Sequence, residues 1–452
     1  MKKILSIIIS TVFATALCAQ NGINTPYSRY GFGIQSERAL GFNKGMGGVA
    51  QGFRNGQQIN IANPASYSAV DSLTALFDMG ISLQNGNYKM GNLQQNIRNS
   101  SFDYFAFQFR AFKHVGVTIG LMPITNIKYN FSSSSESLPN NEDIKSTYTF
   151  NGDGGLRELT LGMGWQPFKP ISIGLNVSYI WGDYTHNMAM SFSESSAFSM
   201  SRIYKADIST YSIQGGLQYI QPLGKKDKLV IGGTYTLGHK TDNDAFRITR
   251  TMNSTTVENE TNDTIKHAFQ LPTSISAGFT YYHTNKLRVG VDFELQKWSL
   301  CKFPNQQTGI SSSSDTGHSD VYSSTKGQLN DRVKVAVGMD WTPNEFSNHF
   351  FSRCSYKLGG YYAQTYAKAD ITGTVTKKPS EIGVSAGVSL PLSNNNMYRT
   401  SHKINVAVQW VHTNIPYLNA MTSQKSTLTE NYFRLCLGVT FSERWFQKWK
   451  VQ

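Results

Sequence analysis

Two carboxylates, Asp292 and Glu294, lie two residues apart in a stretch that alternates apolar and polar side chains, so both face one side of a strand. Paired acids on one face can do general acid–base work when their environments push their proton affinities apart. Arg288 shares that face, and an ion pair with it or with a neighbouring cation is the commoner use of such acids. Gly45-x-Gly47-x-x-Ala50 matches a dinucleotide fingerprint by spacing, yet no strand precedes it and no helix follows. No phosphate loop, HExxH or G-x-S-x-G motif occurs, and the nine histidines are scattered. Beyond the leader, Cys301, Cys354 and Cys436 are an odd number, too widely spaced for a disulfide framework or a zinc motif. The residues that could do chemistry therefore point to a protein that is not an enzyme and that uses no cofactor and no metal.

The elements that carry these residues are strands. From Leu73 to Gln84, the side chains of Leu73, Ala75, Phe77, Met79, Ile81 and Leu83 are apolar, and only Leu76 breaks the alternation with polar or small neighbours. Leu159, Leu161, Met163 and Trp165 repeat the pattern, as do Leu287 to Leu295 and Ile404 to Trp410. A period of two marks a strand with two different faces. Fourteen such stretches are legible, near 73–84, 102–112, 115–129, 157–166, 172–184, 209–221, 229–239, 274–283, 287–298, 332–342, 352–363, 381–391, 402–412 and 431–441. Long and short gaps alternate between them, as in outer-membrane barrels with short periplasmic turns and longer outer loops. The pattern predicts an all-β fold: a transmembrane antiparallel β-barrel of about 14 strands, apolar face to lipid and polar face to the lumen. Mean hydropathy is −0.33, too low for a helical membrane protein. Trp165, Trp181, Trp298, Trp341 and Trp410 near strand ends suggest interfacial girdles.

Residues 1–20 carry Lys2 and Lys3, an apolar run and a small-residue site, the features of a signal peptide cut near 18–20 and exported by the Sec pathway. Residues 21–72 are Gly- and Asn-rich, and too long for a plain linker. Their apolar members Met46, Val49, Phe53, Ile59, Ile61 and Tyr67 predict an N-terminal plug folded inside the barrel. The barrel then spans 73–441, and 442–452 forms a periplasmic tail whose Trp445, Phe446 and Trp449 could lie on headgroups. Ser132 to Ser135 and Ser311 to Ser314 read as loop tips. Net charge is +13, with no basic helix or stripe, which favours contact with anionic outer-membrane lipids and no nucleic acid.

Arg38-Ala39-Leu40-Gly41, Gly45 to Ala50, and Asn63-Pro64-Ala65-Ser66 resemble the N-terminal hatch of FadL-type outer-membrane transporters, a Gly-rich run followed by Asn-Pro-Ala before the first strand. Leu271 to Phe279, with Asp292 and Trp298 downstream, is similar to a hairpin of that family. The resemblance implies a 14-stranded monomeric barrel, plugged by its N-terminal segment, that takes up long-chain fatty acids or other hydrophobic small molecules passively. It implies that Asn63, Pro64 and Ala65, with Gly47 and Gly48, pin the hatch, and that ligand leaves sideways at a kinked third strand, where Pro123 stands. Two departures stand out. Gln51 to Ile61 lacks the Asp-containing stretch that often precedes Asn-Pro-Ala, and Arg110, Glu158, Lys334 and Gln409 make the lumen polar. The alternative is a structural or protein-docking barrel, a type IX secretion-like component or surface interaction protein without transport, its contact surface the loops 240–273 and 299–331.

Overall fold

A computed structural model describes residues 24–90, 93–132, 136–138, 141–194, 197–253, 256–305, 322–368, 378–392, 402–418 and 425–444. The segment 1–20 read as a signal peptide, both serine tracts beyond Ser132 and the tail beyond Arg444 lie outside the described residues.

The wall begins with β1 (Thr74–Met90), β2 (Leu93–Phe112), β3 (Val115–Pro123) and its continuation β4 (Thr125–Ser132). It proceeds through β5 (Asn141–Phe168), β6 (Ile171–Phe192), β7 (Ser199–Pro222) and β8 (Asp227–Thr236). A hairpin, β9 (Ala245–Asn253) and β10 (Thr256–Ile265), interrupts the sequence but not the wall. The wall resumes with β11 (Ser274–His283), β12 (Leu287–Gln296), β13 (Arg332–Trp341), β14 (Ser355–Gln364), β15 (Ser380–Pro391), β16 (Lys403–Leu418) and β17 (Lys425–Arg444). Every pairing is antiparallel, β8 pairs directly with β11, and β1 pairs with β17 from Thr74↔Arg444 to Met90↔Leu428, which closes the barrel. With β3 and β4 counted as one wall strand, the barrel has fourteen, each overlapping one of the fourteen stretches read from the sequence.

The period of two fixes which side meets lipid. On β5, Leu161 is 58% exposed and the adjacent Thr160 1%, so the apolar row faces outward and the polar row inward. The strands run further at their long-loop ends than the alternation suggests. β5 starts at Asn141 instead of 157, and β6 ends at Phe192 instead of 184. Beyond the lipid-facing row the alternation inverts, with Met188 and Met190 buried on the inward face against Tyr148 and Phe150 and polar residues outward, so the outward apolar signal stops while the ladder continues. Three expectations need correction. The stretch 240–273 contains a hairpin, with β9 pairing β7. Ser442 to Arg444 extend the last strand. Trp298 is buried in an aromatic cluster with Phe32, Phe269 and Phe303, and takes no part in a girdle. Trp165 and Trp341 are about half exposed on the outer wall.

Glycines decide how close the inner wall lets other backbone approach. Gly216 of β7 faces inward, and a Cβ there would sit 2.4 Å from Asn63 Oδ1 and 2.7 Å from Pro64 Cδ. Gly174 of β6 meets the Pro64 carbonyl carbon at 2.3 Å in the same sense. Gly215, one residue from Gly216 and on the opposite face, has nothing within 4 Å. Gly216→Ala is therefore expected to lower unfolding stability by about 1–3 kcal/mol through overpacking, and Gly215→Ala to change it little. Thermal melts of the two folded variants in the same detergent check this.

Candidate functional site

Residues 24–72 form short turns against the inward face of the wall: Pro26–Arg29, Gly41–Lys44 and Pro64–Ala69. Asn63 is buried and caps the last of these. Its Oδ1 accepts from Ala65 N at 3.1 Å, while its Nδ2 donates to the carbonyls of Gln51 (3.0 Å) and Leu217 (3.2 Å). A side-chain amide supplies both roles at once, which is why Asn suits this position. Pro64 follows at the first position of the turn, where its missing N–H is not needed. Ala65 is fully buried, and its carbonyl accepts from Arg54 at 3.1 Å. Gly47 and Gly48 adopt φ of +66° and +83°, a region open to glycine, and Gly47 N donates to Ser385 Oγ at 2.9 Å.

Charged pairs join the same segment to the wall. Lys44 meets Asp103, Arg38 meets Glu158 at 2.7 Å, and Lys334 meets Glu37 at 3.3 Å. Burial alone would raise the Glu37 carboxyl, but Lys334, Arg434 and Lys44 together hold it below the ordinary range. The acid pair is also spoken for. Asp292 accepts from the backbone N–H groups of Ala50 (2.6 Å) and Gln51 (2.9 Å), and Glu294 pairs with Arg332 at 3.1 Å. Arg288 pairs with Asp340 at 2.7 Å instead of with either acid. Among the described residues, no group of His, Cys, Asp and Glu could hold a metal ion.

Among the described residues the wall ladder lapses along Ala206–Ser212 of β7, between its pairings with β8 and β9, and over a longer stretch beside β2. β2 pairs with β3 from Phe105↔Leu121 to Phe112↔Val115. Its outer half, from Leu93 to Tyr104, is paired on one edge only, with β1. β4 pairs on one edge with β5 and on the other with a two-residue strand, Ile34–Gln35. Between Pro123↔Arg157 and Ile127↔Gly154 the register passes four residues on one strand against three on its partner. This is a bulge that bends the strand at the proline. Gly154, Gly155 and Gly182 carry the bend across β5 and β6 with φ of +130°, +134° and +152°.

The result is a seam between the outer half of β2 and β4. Residues 24–36 lie along it from inside. Ser36 N donates to Ile124 O (2.8 Å), Thr25 N to Lys128 O (2.9 Å), and Lys128 N to Ser28 Oγ (3.1 Å). Asn24 N reaches the other lip at Asn99 Oδ1, 3.2 Å away. A cavity behind the seam is lined by Phe102, Asp103, Pro123, Asn126, Glu37 and Tyr432, among others. A second cavity, reached past Gln35 to Glu37, is lined by Leu156, Ile180, Leu271 and Phe293 together with Arg332 and Glu158. At the long-loop end, Phe32, Tyr184, Phe269, Phe303 and Leu329 pack into one buried cluster that caps the lumen.

The structure thus brings Pro123 to the seam and Asn63, Pro64 and Ala65 to the wall glycines. Sequence reasoning missed the strap formed by residues 24–36, for a run of mixed polar residues carries no periodicity. It also missed the inward glycines, whose signal was their recurrence at inward positions of successive strands. Asp292→Ala is expected to cost on the order of 2–3 kcal/mol, because two buried N–H groups lose a charged acceptor. Limited proteolysis should then cut residues 45–60 faster than in the parent.

The described chain resembles solved barrels of similar size. A FadL homologue from Pseudomonas aeruginosa superposes with a TM-score of 0.60 at 11% identity, covering 91% of this chain and 99% of that one. The toluene transporter TodX of P. putida gives 0.56 at 12%, covering 92% and 100%. The toluene transporter TbuX of Ralstonia pickettii gives 0.54 at 13%, covering 90% and 99%. At such identities the likeness is one of fold, and the FadL-type resemblance holds at that level. No curated protein sequence matches. A family model described as BamG matches residues 1–452.

Proposed function

The chain belongs to the BamG family, and we propose that it is an outer-membrane barrel, exported through the Sec pathway, that passes hydrophobic small molecules sideways through its wall. The observation that carries this reading is the seam between β2 and β4, a break in the wall that leads to an internal cavity. Residues 21–72 act as the hatch, and Asn63, Pro64 and Ala65, with Gly47 and Gly48, pin it to the wall. Pro123 marks the opening. The barrel works as a monomer, by diffusion and without covalent chemistry.

The lining narrows the ligand. A cavity bordered by Glu37, Asp103 and Tyr432 as well as Phe102 and Pro123 offers little uninterrupted apolar surface to a long acyl chain. A compact hydrophobic molecule, or an amphiphile that keeps its tail in the lipid, fits better than a fully enclosed long-chain fatty acid.

A second reading, a structural or protein-docking barrel without transport, is favoured by the number of ion pairs and backbone bonds that fasten residues 24–72, and by the aromatic cap over the lumen. A secretion-system partner would then use the sheet that β9 and β10 add beyond the wall.

Mass spectrometry of hydrophobic molecules retained by the detergent-purified protein, compared with a folded variant lacking residues 21–66, separates the two. Ligand held by the intact barrel and lost from the variant supports the channel. A folded barrel empty in both forms contradicts it and supports docking.

A further inference from the structure

The short-turn end of the barrel exposes large apolar side chains where an aqueous compartment would disfavour them. Phe112 is 75% exposed, Phe168 66%, Phe346 70% and Phe351 74%. Each stands at or beyond the end of a wall strand: Phe112 ends β2, Phe168 ends β5, and Phe346 and Phe351 lie between β13 and β14. Exposed aromatics of this size imply a cover.

Bases accompany them. Lys113 follows Phe112, Lys169 follows Phe168, Lys225 and Lys226 follow the exposed Leu223, and Lys286 lies in the turn between β11 and β12, all five exposed. The acids in reach are Asp227, which His283 Nδ1 meets at 2.7 Å, and the exposed Glu345 and Glu443, the latter 3.9 Å from His402 Nε2. Arg353 and His349 add to the basic side.

The distribution identifies the cover. The aromatic or aliphatic residues and their lysines recur on turn after turn around the circumference. A protein partner would cover one sector, whereas lipid surrounds the whole rim. The outward rows of the strands are apolar up to Trp165, Tyr219 and Trp341, and the lysines follow within a few residues of these positions. That spacing puts the ammonium groups at headgroup level, with the aromatics entering the acyl boundary.

We propose that this rim is a basic and aromatic collar that selects anionic phospholipid, such as phosphatidylglycerol, from the periplasmic leaflet. The proposal rests on the outer-membrane placement given above, and not on the seam.

The test uses the full processed chain in nanodiscs made from equal amounts of phosphatidylglycerol and phosphatidylethanolamine, with retained lipid counted by native mass spectrometry. The parent should hold phosphatidylglycerol several-fold over phosphatidylethanolamine, less at high salt. A variant with Lys113, Lys169, Lys225, Lys226 and Lys286 each changed to Gln should hold both equally. A matched variant with the exposed Lys89, Lys205, Lys240, Lys266 and Lys326 of the long-loop end changed to Gln should behave as the parent. No preference in the parent, or equal loss in both variants, overturns the collar. So does an acidic periplasmic protein that leaves with the collar lysines while the lipid ratio stays unchanged. A chain that inserts into no bilayer contradicts the membrane placement itself.

Discussion

Every strand in a membrane wall has two edges of backbone N–H and C=O, and each edge must find a partner or water. Among the described residues most junctions in this barrel meet that constraint with ladders broken only by bulges or short lapses, but the junction between the outer half of β2 and β4 does not. The outward residues there are mostly polar, among them Arg98 and Ser100 on β2 and Lys128 and Asn130 on β4, with Phe102 at the base. The gap therefore opens at the upper edge of the apolar band, where water or headgroups reach the β2 edge. The β4 edge is covered from inside by Thr25, Ser28, Ile34, Gln35 and Ser36.

That placement links the strap to everything behind it. A segment bound to β4 at Ile34–Gln35 enters the lumen at a fixed height, and Glu37, Arg38 and Lys44 then meet Lys334, Glu158 and Asp103 in turn. From Gly41 to Ser68 the chain runs backbone-close to the wall, and inward glycines make room for it. Buried ion pairs are weak evidence for stability, since desolvation opposes their attraction. Their use here is positional: each pair has one partner on the segment and one on a different strand, so the pairs together set a single seat.

Much of this was legible in the sequence, for definite reasons. A lipid-facing row of Leu159, Leu161, Met163 and Trp165 against Thr160 and Gly162 can be read without any knowledge of neighbours, because burial on one side and exposure on the other write a period of two. Asn63-Pro64-Ala65 was legible only through its resemblance to a hatch signature, and the capped turn it forms comes from the structure. The outer extensions of β5 and β6, and the β9–β10 hairpin, were not, since on β5 and β6 the apolar row switches to the inward face and β10 is exposed on both faces. The partner of Arg288 was also out of reach. Asp292 shares its face, but the pair that forms crosses to Asp340 on the next strand, and register decides that contact. The strap was least legible of all, because its role comes from a missing neighbour in the wall.

Residues 24–36 cover the edge of β4, and Ile34 and Asn126 are direct Cα partners in that contact. The most direct test places cysteines at these two positions, with Cys301, Cys354 and Cys436 changed to Ser, and measures disulfide formation in intact outer membranes. Rapid, near-complete crosslinking under mild oxidant, with none between Ile34→Cys and a cysteine at exposed Ser100, is expected. Absence of the Ile34–Asn126 crosslink in a folded barrel would contradict that cover.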